Sequence, residues 1–581
     1  MLSYKHFYLI IKNLRLVGTF YFFFGLSLIS TFLEILSIGS ILPLLSIIID
    51  ETIFEKYLEF ADLLLYFSPL QLFEHTYSKH LNYIGGLLIL ILTVFLLRFI
   101  FQVFIEWNKA KLIYKLELLL TNKFYKNYMK APYLFHLERN SSNFHRDIQS
   151  DINYFSATAS AITGLLVEML ILIGLLLLVL TTQFLSTLSA LVILSFFGYI
   201  FLKITNKFNV KLGTDVHYST KERFKYLIEG FSGIKDIIIF DKINLFINFF
   251  EKSNAKLIDS KKKHSIVSSL PRLIIEMLLI LGFVIVIFIL IFTGVPINQS
   301  LPVLGFFAVA SFRMMPSVYR ILNYIQRVKF TKKPLENLYE QLINLTEKEE
   351  KIIIKKEEVN FNNVLKINDL KFSYTGNETV IEKLNLEIKK GSSIGIFGES
   401  GSGKSTLINI ITGLLEPQEG KIYSDNKSIF SNINSWRKNI GYVPQTVFLS
   451  DDTLKKNIVF GIEDEKINEK KLELCITNAE LKKFINNLQN GLDTFVGESG
   501  SKISGGQLQR VGIARALYND PKILIFDEST SSLDVSTEKE IMKNIYKFKE
   551  NKTLMIISHK LDLLKNCDEV YELKNKKLFK I

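Results

Sequence analysis

The sequence predicts an α-helical membrane domain with six spans, fused to an α/β domain that carries a phosphate-binding loop. Six apolar stretches before residue 326 are each long enough to cross a bilayer, which takes ~20 residues. After about residue 345 these runs give way to a mixture of Lys, Glu, Asn and Ile that is typical of a soluble domain. In this second part the strand-like run SSIGIFG leads into GESGSGKST and then into an apolar helical pattern.

The length of 581 residues is enough for more than one domain. We expect a membrane domain, a linker and an α/β domain over residues 1–330, 331–364 and 365–581. The predicted spans cover residues 17–49, 81–107, 154–182, 184–204, 266–294 and 298–325.

The distribution of charge predicts the orientation of these spans. The chain has 70 Lys and Arg against 57 Asp and Glu, a net charge of +13. A basic chain can bind nucleic acid, but here Lys concentrates in the long connections 108–152 and 205–265, whereas the connection after the first span is acidic. Lys and Arg mark the cytoplasmic side of a membrane protein. We therefore expect the N-terminus, both long connections and the α/β domain to be cytoplasmic, with no nucleic-acid partner.

The two long connections are predicted to continue the spans as helices into the cytoplasm. Their reversal points are expected near APYLFHLERNSSNF and EGFSGIKD, and these tips are expected to dock on the second domain, with ordinary loops as the alternative. FEKYLEFADLLLYF, at 54–67, has the apolar spacing of a helix on the outer surface. The mixed charges of 336–360 predict a solvated helix end and spacer.

The second part contains the motif GxxxxGK[ST] in its expected strand–loop–helix context. The glycines let the backbone wrap closely around phosphates, and the following helix N-terminus adds a favourable partial charge. We expect Lys404 to reach the β- and γ-phosphates of ATP and the Ser405 hydroxyl to bind Mg²⁺. The residues expected to bind the nucleotide here are Gly398, Glu399, Ser400, Gly401, Ser402, Gly403, Lys404, Ser405 and Thr406.

A second motif, which contains two neighbouring acids, follows in KILIFDEST. The apolar run predicts a buried strand that delivers Asp527 to Mg²⁺ at its carboxyl end. Glu528 is then placed to hold the attacking water or to accept its proton. The dipeptide alone is weak evidence, but behind a phosphate-binding loop it indicates ATP hydrolysis with Mg²⁺.

The stretch ISGGQLQR, at 503–510, resembles the signature of ATP-binding cassette proteins through Ser504, Gly505, Gly506 and Gln507. Further landmarks of that family occur in order, and the resemblance spans about residues 365–581. It implies that Tyr374 stacks on adenine, Gln445 links Mg²⁺ to the membrane domain, Asp534 lies in the loop that crosses the dimer interface, and His559 contacts the γ-phosphate. Packing at a strand edge is the alternative for Tyr374.

The resemblance also implies an assembly. In this family the signature of one cassette completes the ATP site of another, and this chain has one cassette. A homodimer with two equivalent ATP sites and twelve spans around one pathway is therefore implied. A six-span domain followed by a cassette is the arrangement of exporters, so the predicted fold class is an ABC exporter membrane domain fused to an α/β P-loop domain.

Four arginines lie within or at the ends of the predicted spans, where a guanidinium is costly: Arg98, Arg272, Arg313 and Arg320. Arg313 and Arg320 are seven residues apart, ~10 Å along one helix face. Counting Glu34 and Glu276 as the span carboxylates, the arginines exceed the acids and are expected to line a cationic cavity that binds phosphate. Anchoring at the inner interface is the alternative for Arg272 and Arg320.

At these residues the sequence is similar to PglK-type lipid-linked oligosaccharide flippases. The shared features are the Pro-Arg start of the fifth span with Glu276 four residues beyond, RMMPSVYR in the sixth span, the arginine in the second, and the predicted outer helix after the first. The similarity implies a polyprenyl-pyrophosphate glycan as cargo and a location in the bacterial inner membrane. The alternatives are an exporter of another class, for a lipid A-like lipid, a drug or a peptide, and a nucleotide-gated channel or sensor. The complete hydrolytic set disfavours the last.

Overall fold

A computed structural model describes residues 2–41, 44, 79–182, 184–292, 297–349, 357–374, 378–497, 500, 502–529 and 535–581. Within these ranges, some helical residues are described by their backbone alone. The chain divides into two units. The first contains Met1–Ala131 and Arg139–Glu349, and the second contains Pro132–Glu138 and Glu350–Ile581. Each unit is described separately.

The first unit is built from long helices. They are α1 (Leu2–Asn13), α2 (Val17–Gly39), α3 (Lys79–Lys130), α5 (Ser141–His145), α6 (Ile152–Thr182), α7 (Phe184–Ser232), α8 (Ile234–Ile239), α9 (Ile243–Phe292), α10 (Ile297–Phe330) and α11 (Lys332–Glu349), with a π-helical turn at Arg146–Asp151 before α6.

Several of these helices are much longer than a bilayer requires. Helix α3 has 52 residues, which is ~78 Å at 1.5 Å per residue, against a hydrocarbon thickness of ~30 Å. The described residues contain four stretches that are long and apolar enough to cross a membrane: Val17–Gly39, Ile84–Lys130, Ser142–Leu180 and Ile243–Gly282. The predicted fourth and sixth spans fall in α7 and α10, whose side chains are only partly described. The predicted outer helix at 54–67 lies outside the described residues.

Both predicted reversal points coincide with breaks between helices. After α3, Pro132 precedes the short helix α4 (Tyr133–Leu137), because the residue before a proline disfavours helical dihedrals. This segment belongs to the second unit, where Leu134 packs against the hydrophobic core. Helix α8 marks the other reversal and belongs to the first unit, and its neighbours Phe231 and Phe240 are exposed. Docking of this second tip therefore remains a prediction.

Helix α11 differs from the solvated spacer that its mixed charges predict. Leu335, Leu338 and Leu342 are buried at three- and four-residue spacing, which is the pattern of a helix that packs along one face. On the same helix, the Tyr339 ring stacks on His6 of α1 with a centroid separation of 4.4 Å. The helix is thus a packed part of the first unit.

The second unit contains two β-sheets. Its strands are β1 (Val364–Ser373), β2 (Thr379–Lys389), β3 (Ser393–Phe397), β4 (Glu419–Ser424), β5 (Lys427–Ser428), β6 (Ile440–Val443), β7 (Ile523–Asp527), β8 (Thr553–Ser558), β9 (Glu569–Lys574) and β10 (Lys577–Lys580). An antiparallel sheet has the order β2-β1-β4-β5, and a larger sheet has the order β10-β9-β3-β8-β7-β6.

The larger sheet is mostly parallel and forms the centre of the second unit. Strands β9, β3, β8, β7 and β6 pair in parallel, and β7 and β8 are buried along their whole length. This explains their continuous apolar runs, since both faces are covered. The surrounding helices are α12 (Lys404–Ile411), α13 (Ile433–Arg437), α14 (Leu454–Ile458), α15 (Glu469–Asn478), α16 (Lys482–Asn486), α17 (Gly505–Tyr518) and α18 (Val535–Lys547).

Candidate nucleotide-binding site and membrane arginines

Four predicted motifs meet at the carboxyl edge of the larger sheet. Strands β3, β8, β7 and β6 are consecutive neighbours. The phosphate-binding loop follows β3, His559 follows β8, Asp527 ends β7, and Gln445 lies two residues beyond β6. Because ligands of parallel α/β sheets bind beyond the carboxyl ends of the strands, this edge is the candidate nucleotide site.

The phosphate-binding loop has a backbone that requires glycine. Gly401 and Gly403 have φ values of 81° and 104°, in the region that residues with a Cβ rarely adopt. A Cβ on Gly398 would lie 2.7 Å from the carbonyl oxygen of Leu573. The loop passes directly into α12 at Lys404, so the helix N-terminus faces the position that phosphates would occupy.

Lys404, Glu528 and Gln445 are joined by short contacts. The buried Lys404 Nζ donates to the carbonyl oxygens of Gly398 and Glu399 at 2.8 and 2.9 Å. It also lies 3.3 Å from Glu528 Oε1. Gln445 Nε2 donates to Glu528 Oε2 at 3.2 Å. Glu528 has a φ of 45°, a strained conformation for a residue other than glycine that is often found at functional sites.

Asp527 is held by a residue that sequence reasoning missed. Tyr442, in β6, donates its hydroxyl to Asp527 Oδ2 at 3.1 Å. Burial raises the pKa of Asp527, and the hydrogen bond from Tyr442 acts in the opposite direction. Burial and the neighbouring carboxylate also raise the pKa of Tyr442. No local pattern singles out this tyrosine, because the pairing of β6 with β7 joins residues more than eighty positions apart.

Tyr374 lies beside the first turn of α12. Its hydroxyl oxygen is 3.1 Å from Thr406 Oγ1. Its ring packs edge-to-face on Phe372 with centroids 5.1 Å apart. These contacts place the tyrosine next to the loop while giving it a packing role, so adenine stacking stays a prediction.

The signature residues start a helix. Ser504 caps α17, and its Oγ accepts from the Gln507 backbone N–H at 3.4 Å while Gln507 Oε1 accepts from the Ser504 N–H at 2.9 Å. This reciprocal pair is a capping box. The signature therefore has a clear local function in this chain. Asp534 lies outside the described residues.

Arg98 is paired within the membrane helices. Its Nε lies 2.7 Å from Glu34 Oε2, and its Nη2 donates to Oε1 at 2.8 Å. Ser37 Oγ accepts from Nη1 at 3.3 Å. Glu34 is 1% exposed and the Arg98 side chain is 21% exposed, so this two-point ion pair joins α3 to α2 through a buried carboxylate.

Two other span arginines also have carboxylate partners. Arg320 Nε lies 2.6 Å from Glu168 Oε1, and Arg272 Nε lies 2.9 Å from Glu276 one helical turn away. Glu168 lies in the predicted third span, so the count of two span carboxylates was wrong. Glu106 lies in the predicted second span, so the span carboxylates number four and equal the four arginines, and the expected excess of arginine over acid was wrong. The side chain of Arg313 lies outside the described residues.

Comparison with known proteins decides the family. Residues 381–531 match a family model described as ABC transporter, and residues 17–314, more than half of the chain, match the ABC transporter transmembrane region. The chain belongs to the ABC transporter family. These matches and the structure confirm the predicted fold class, a helical exporter membrane domain fused to a nucleotide-binding domain, and identify ATP as the ligand class of the second domain.

The relatives of this transporter are named for different cargoes. It is 38% identical over 219 residues to an ATP-dependent lipid A-core flippase of Desulfotalea psychrophila, a match that covers 38% of each chain. It is 29% identical over 486 residues to the lactococcin-G-processing and transport ATP-binding protein LagD of Lactococcus lactis subsp. lactis, covering 81% of this chain and 67% of that one. The match to the flippase thus spans little more than a third of that relative.

The transporter also resembles a solved structure over nearly its whole length. A bacterial Atm1-family ABC exporter with ATP bound superposes with a TM-score of 0.73, at 19% identity, covering 95% of this chain and 94% of that one. At this identity the likeness shows the fold of the transporter. Its cargo has to be argued from its own residues.

Proposed function

We propose that this ABC transporter hydrolyses ATP to flip a lipid-linked oligosaccharide, a polyprenyl-pyrophosphate glycan, from the inner to the outer leaflet of a bacterial inner membrane. The observation that carries the cargo class is the set of arginine–glutamate pairs on the membrane helices. The hydrolytic part of the proposal rests on the groups that meet at the carboxyl edge of the larger sheet.

In the proposed ATP site, Lys404 exchanges its contacts with the loop carbonyls and Glu528 for the β- and γ-phosphates. Once released from Lys404, Glu528 is free to accept the proton of the attacking water. The hydrogen bond from Gln445 keeps the Glu528 carboxylate oriented. His559, directly after β8, is assigned to the γ-phosphate. Tyr374 is assigned to the adenine ring.

The residues around the loop fit a bound magnesium ion. Mg²⁺ prefers hard oxygen ligands and binds through one or two protein groups plus phosphates. Ser405 offers a hydroxyl, Asp527 a carboxylate and Gln445 an amide oxygen on neighbouring segments of one sheet edge. When bound, the ion would neutralise charge on the transferred phosphate.

The functional unit is proposed to be a homodimer. Ser504, Gly505, Gly506, Gln507 and Asp534 of one copy would complete the ATP site of the other. The N-terminus of the 14-residue helix α17 suits such a role, because a helix N-terminus attracts phosphate.

The proposed cargo follows from the cost of ion pairs in a membrane. A pathway for an apolar molecule needs no charge, and charges among membrane helices commonly mark a pathway for a polar or ionic group. Arg320, whose side chain is 36% exposed beside Glu168, can offer donors to a pyrophosphate while it stays paired. Arginine is suited to this exchange because its fork donates to two oxygens at once.

A lipid A-like lipid is the second candidate. It also carries phosphate, so the same arginines suit it, and several relatives are named as lipid A-core flippases.

The two candidates can be separated in lipid vesicles. We expect undecaprenyl-pyrophosphate glycan to stimulate ATP hydrolysis by the purified transporter and to appear in the opposite leaflet when ATP is added. Lipid A and a cationic drug serve as competing cargoes in the same assay. Stimulation by lipid A alone would replace the oligosaccharide with the second candidate, and hydrolysis that no lipid stimulates would contradict both.

A further inference from the structure

A buried polar cluster lies in the first unit and shares no residue with the candidate ATP site or the span arginines. We call it the junction cluster, and it consists of Tyr128, Arg139, Arg146, Asp147, Asp151, His217 and Asn337. Tyr128 is 21 residues beyond the predicted inner end of its span, ~31 Å along the helix. The cluster is therefore expected in the cytoplasmic extension of the membrane helices.

Asp147 is the centre of this cluster and has no exposed surface. Tyr128 donates its hydroxyl to Oδ2 at 2.8 Å, and Arg146 Nη2 donates to Oδ1 at 2.7 Å. Asn337 Nδ2 donates to Oδ1 at 3.0 Å, and Arg139 Nη1 lies 3.6 Å from Oδ2. One carboxylate thus joins four side chains from different parts of the chain.

Asp151 is the second buried carboxylate, four residues away in the π-helical turn. Asn337 Nδ2 donates to its Oδ2 at 2.7 Å, so this one amide bridges both acids. His217 Nδ1 lies 3.3 Å from Oδ1, and Arg146 Nε lies 3.7 Å from Oδ2. Two acids and two arginines balance in charge, as buried ions require.

Two members of the cluster lie beside points where the chain passes between the two units, and a third lies on a helix that leads to another. The three crossings are at 131/132, 138/139 and 349/350. Tyr128 lies three residues before the first crossing, and Arg139 directly follows the second. Asn337 lies on α11, the helix that ends at the third crossing. Asp147 therefore contacts residues beside the first two covalent connections to the second unit and a residue on the helix that leads to the third.

We infer that the junction cluster couples ATP hydrolysis to movement of the membrane helices. It does so by linking the three connections, so that they move together. Asp147 and Asp151 are positioning residues that act through Tyr128, Arg139 and Asn337. Without the cluster, displacement of one connection would no longer displace the others. This inference rests on the proposed ATP-driven transport.

A purely stabilising function is the competing explanation, and buried ion pairs are weak evidence for stability. Both explanations predict a lower melting temperature when a cluster member is removed, since an acid is left short of a donor. Only coupling predicts that transport per ATP hydrolysed falls while hydrolysis itself continues. The ratio of the two rates therefore separates them.

The test uses paired variants in the full-length transporter in vesicles. Asn337→Leu removes the bridging amide, and Asn344→Leu makes the same change at an exposed position of α11. Tyr128→Phe removes a single hydroxyl, and Tyr125→Phe is its exposed control on α3. We expect Asn337→Leu and Tyr128→Phe to lower transport per ATP by about fivefold or more, the lower range of measured coupling, with hydrolysis within about twofold of wild type. Their effects should not add, because both act through Asp147.

Hydrogen–deuterium exchange gives a readout that does not depend on the cargo. In wild type and both controls, saturating ATP should change exchange in the peptide 139–151, and this change should be lost in Asn337→Leu and Tyr128→Phe. An unchanged ATP response together with wild-type transport per ATP would overturn the inference. If wild type moves no lipid, the proposed function fails, while the exchange experiment still decides whether the cluster couples the units. If Asn337→Leu does not fold, Tyr128→Phe carries the test.

Discussion

Arg98 and Glu34 form a two-point ion pair between α3 and α2, with the Nε–Oε2 distance at 2.7 Å and the carboxylate almost fully buried. Such a pair lowers the cost of placing a guanidinium among membrane helices, because each charge is compensated. The pair also joins the first two spans. It therefore serves the structure of the membrane domain whatever part Arg98 plays in binding cargo.

Removing one partner of this pair should be far more damaging than removing one partner of an exposed pair. We expect Glu34→Gln to destabilise the folded transporter by up to about 3–5 kcal/mol, since the mostly buried Arg98 loses its counter-charge. The control is Glu276→Gln, whose partner Arg272 is 68% exposed and is not packed inside the unit. Thermal unfolding in detergent measures both, and equal melting temperatures would contradict the buried pairing of Glu34.

Glu528→Gln should keep ATP binding and abolish steady hydrolysis and transport. The amide preserves the shape of the side chain but cannot accept a proton, and general-base catalysis contributes about 10²–10⁴-fold. Glu416→Gln, an exposed change in the same unit, is the control. Nucleotide binding and phosphate release measure the two steps, and near-normal turnover would remove Glu528 from the base position.

Tyr442→Phe should shift the acid side of the ATPase pH profile to higher pH. Burial already raises the pKa of Asp527, and the Tyr442 hydroxyl lowers it by donating to the ionised form. Loss of that donor raises the pKa of Asp527 further. At a given pH below neutrality, a larger fraction of Asp527 is then protonated and unable to bind Mg²⁺. The pH dependence of hydrolysis at fixed Mg²⁺ and ATP tests this, with Tyr423→Phe in β4 as control.

The raised pKa of Asp527 also makes the free energy of unfolding depend on pH. The folded state holds the Asp527 proton more tightly than the unfolded chain, so this group's contribution to the free energy of unfolding is full at low pH and is lost as pH rises through the folded pKa. Urea unfolding of wild type and Asp527→Asn at several pH values should show this slope in wild type and its loss in the variant. An identical pH dependence would remove Asp527 as its source.

Arg313→Ala should reduce transport of a pyrophosphate-linked lipid more than it reduces basal ATP hydrolysis. Arg313 shares a helix face with Arg320 by its seven-residue spacing, and arginine loss removes two potential donors to phosphate. Arg327→Ala, at an exposed position near the end of α10, is the control. Flipping and hydrolysis are measured in the same vesicles, and normal flipping by Arg313→Ala would assign this arginine a structural function.

The features that could be predicted from the sequence are those carried by short linear motifs. The loop at 398–406, the Asp527–Glu528 pair and the reversal at Pro132 were each visible as short patterns, because their chemistry needs neighbouring residues in one local conformation. The alternating composition of spans and connections was visible for the same reason. Tyr442 was missed, since its partner Asp527 lies on another strand. Glu168 was visible in the sequence but left out of the count of span acids, and its pairing with Arg320 depends on how two helices pack.

By itself, the sequence determined that this chain has membrane helices, a phosphate-binding loop and a buried strand that leads into two neighbouring acids. Only the tertiary structure decided which charges are compensated. Glu168 meets Arg320 across 152 positions, and Asn337 bridges Asp147 and Asp151 across 190 and 186 positions. The physical reason is that a charge's partner and its burial depend on how distant helices pack, and that packing is a property of the whole unit.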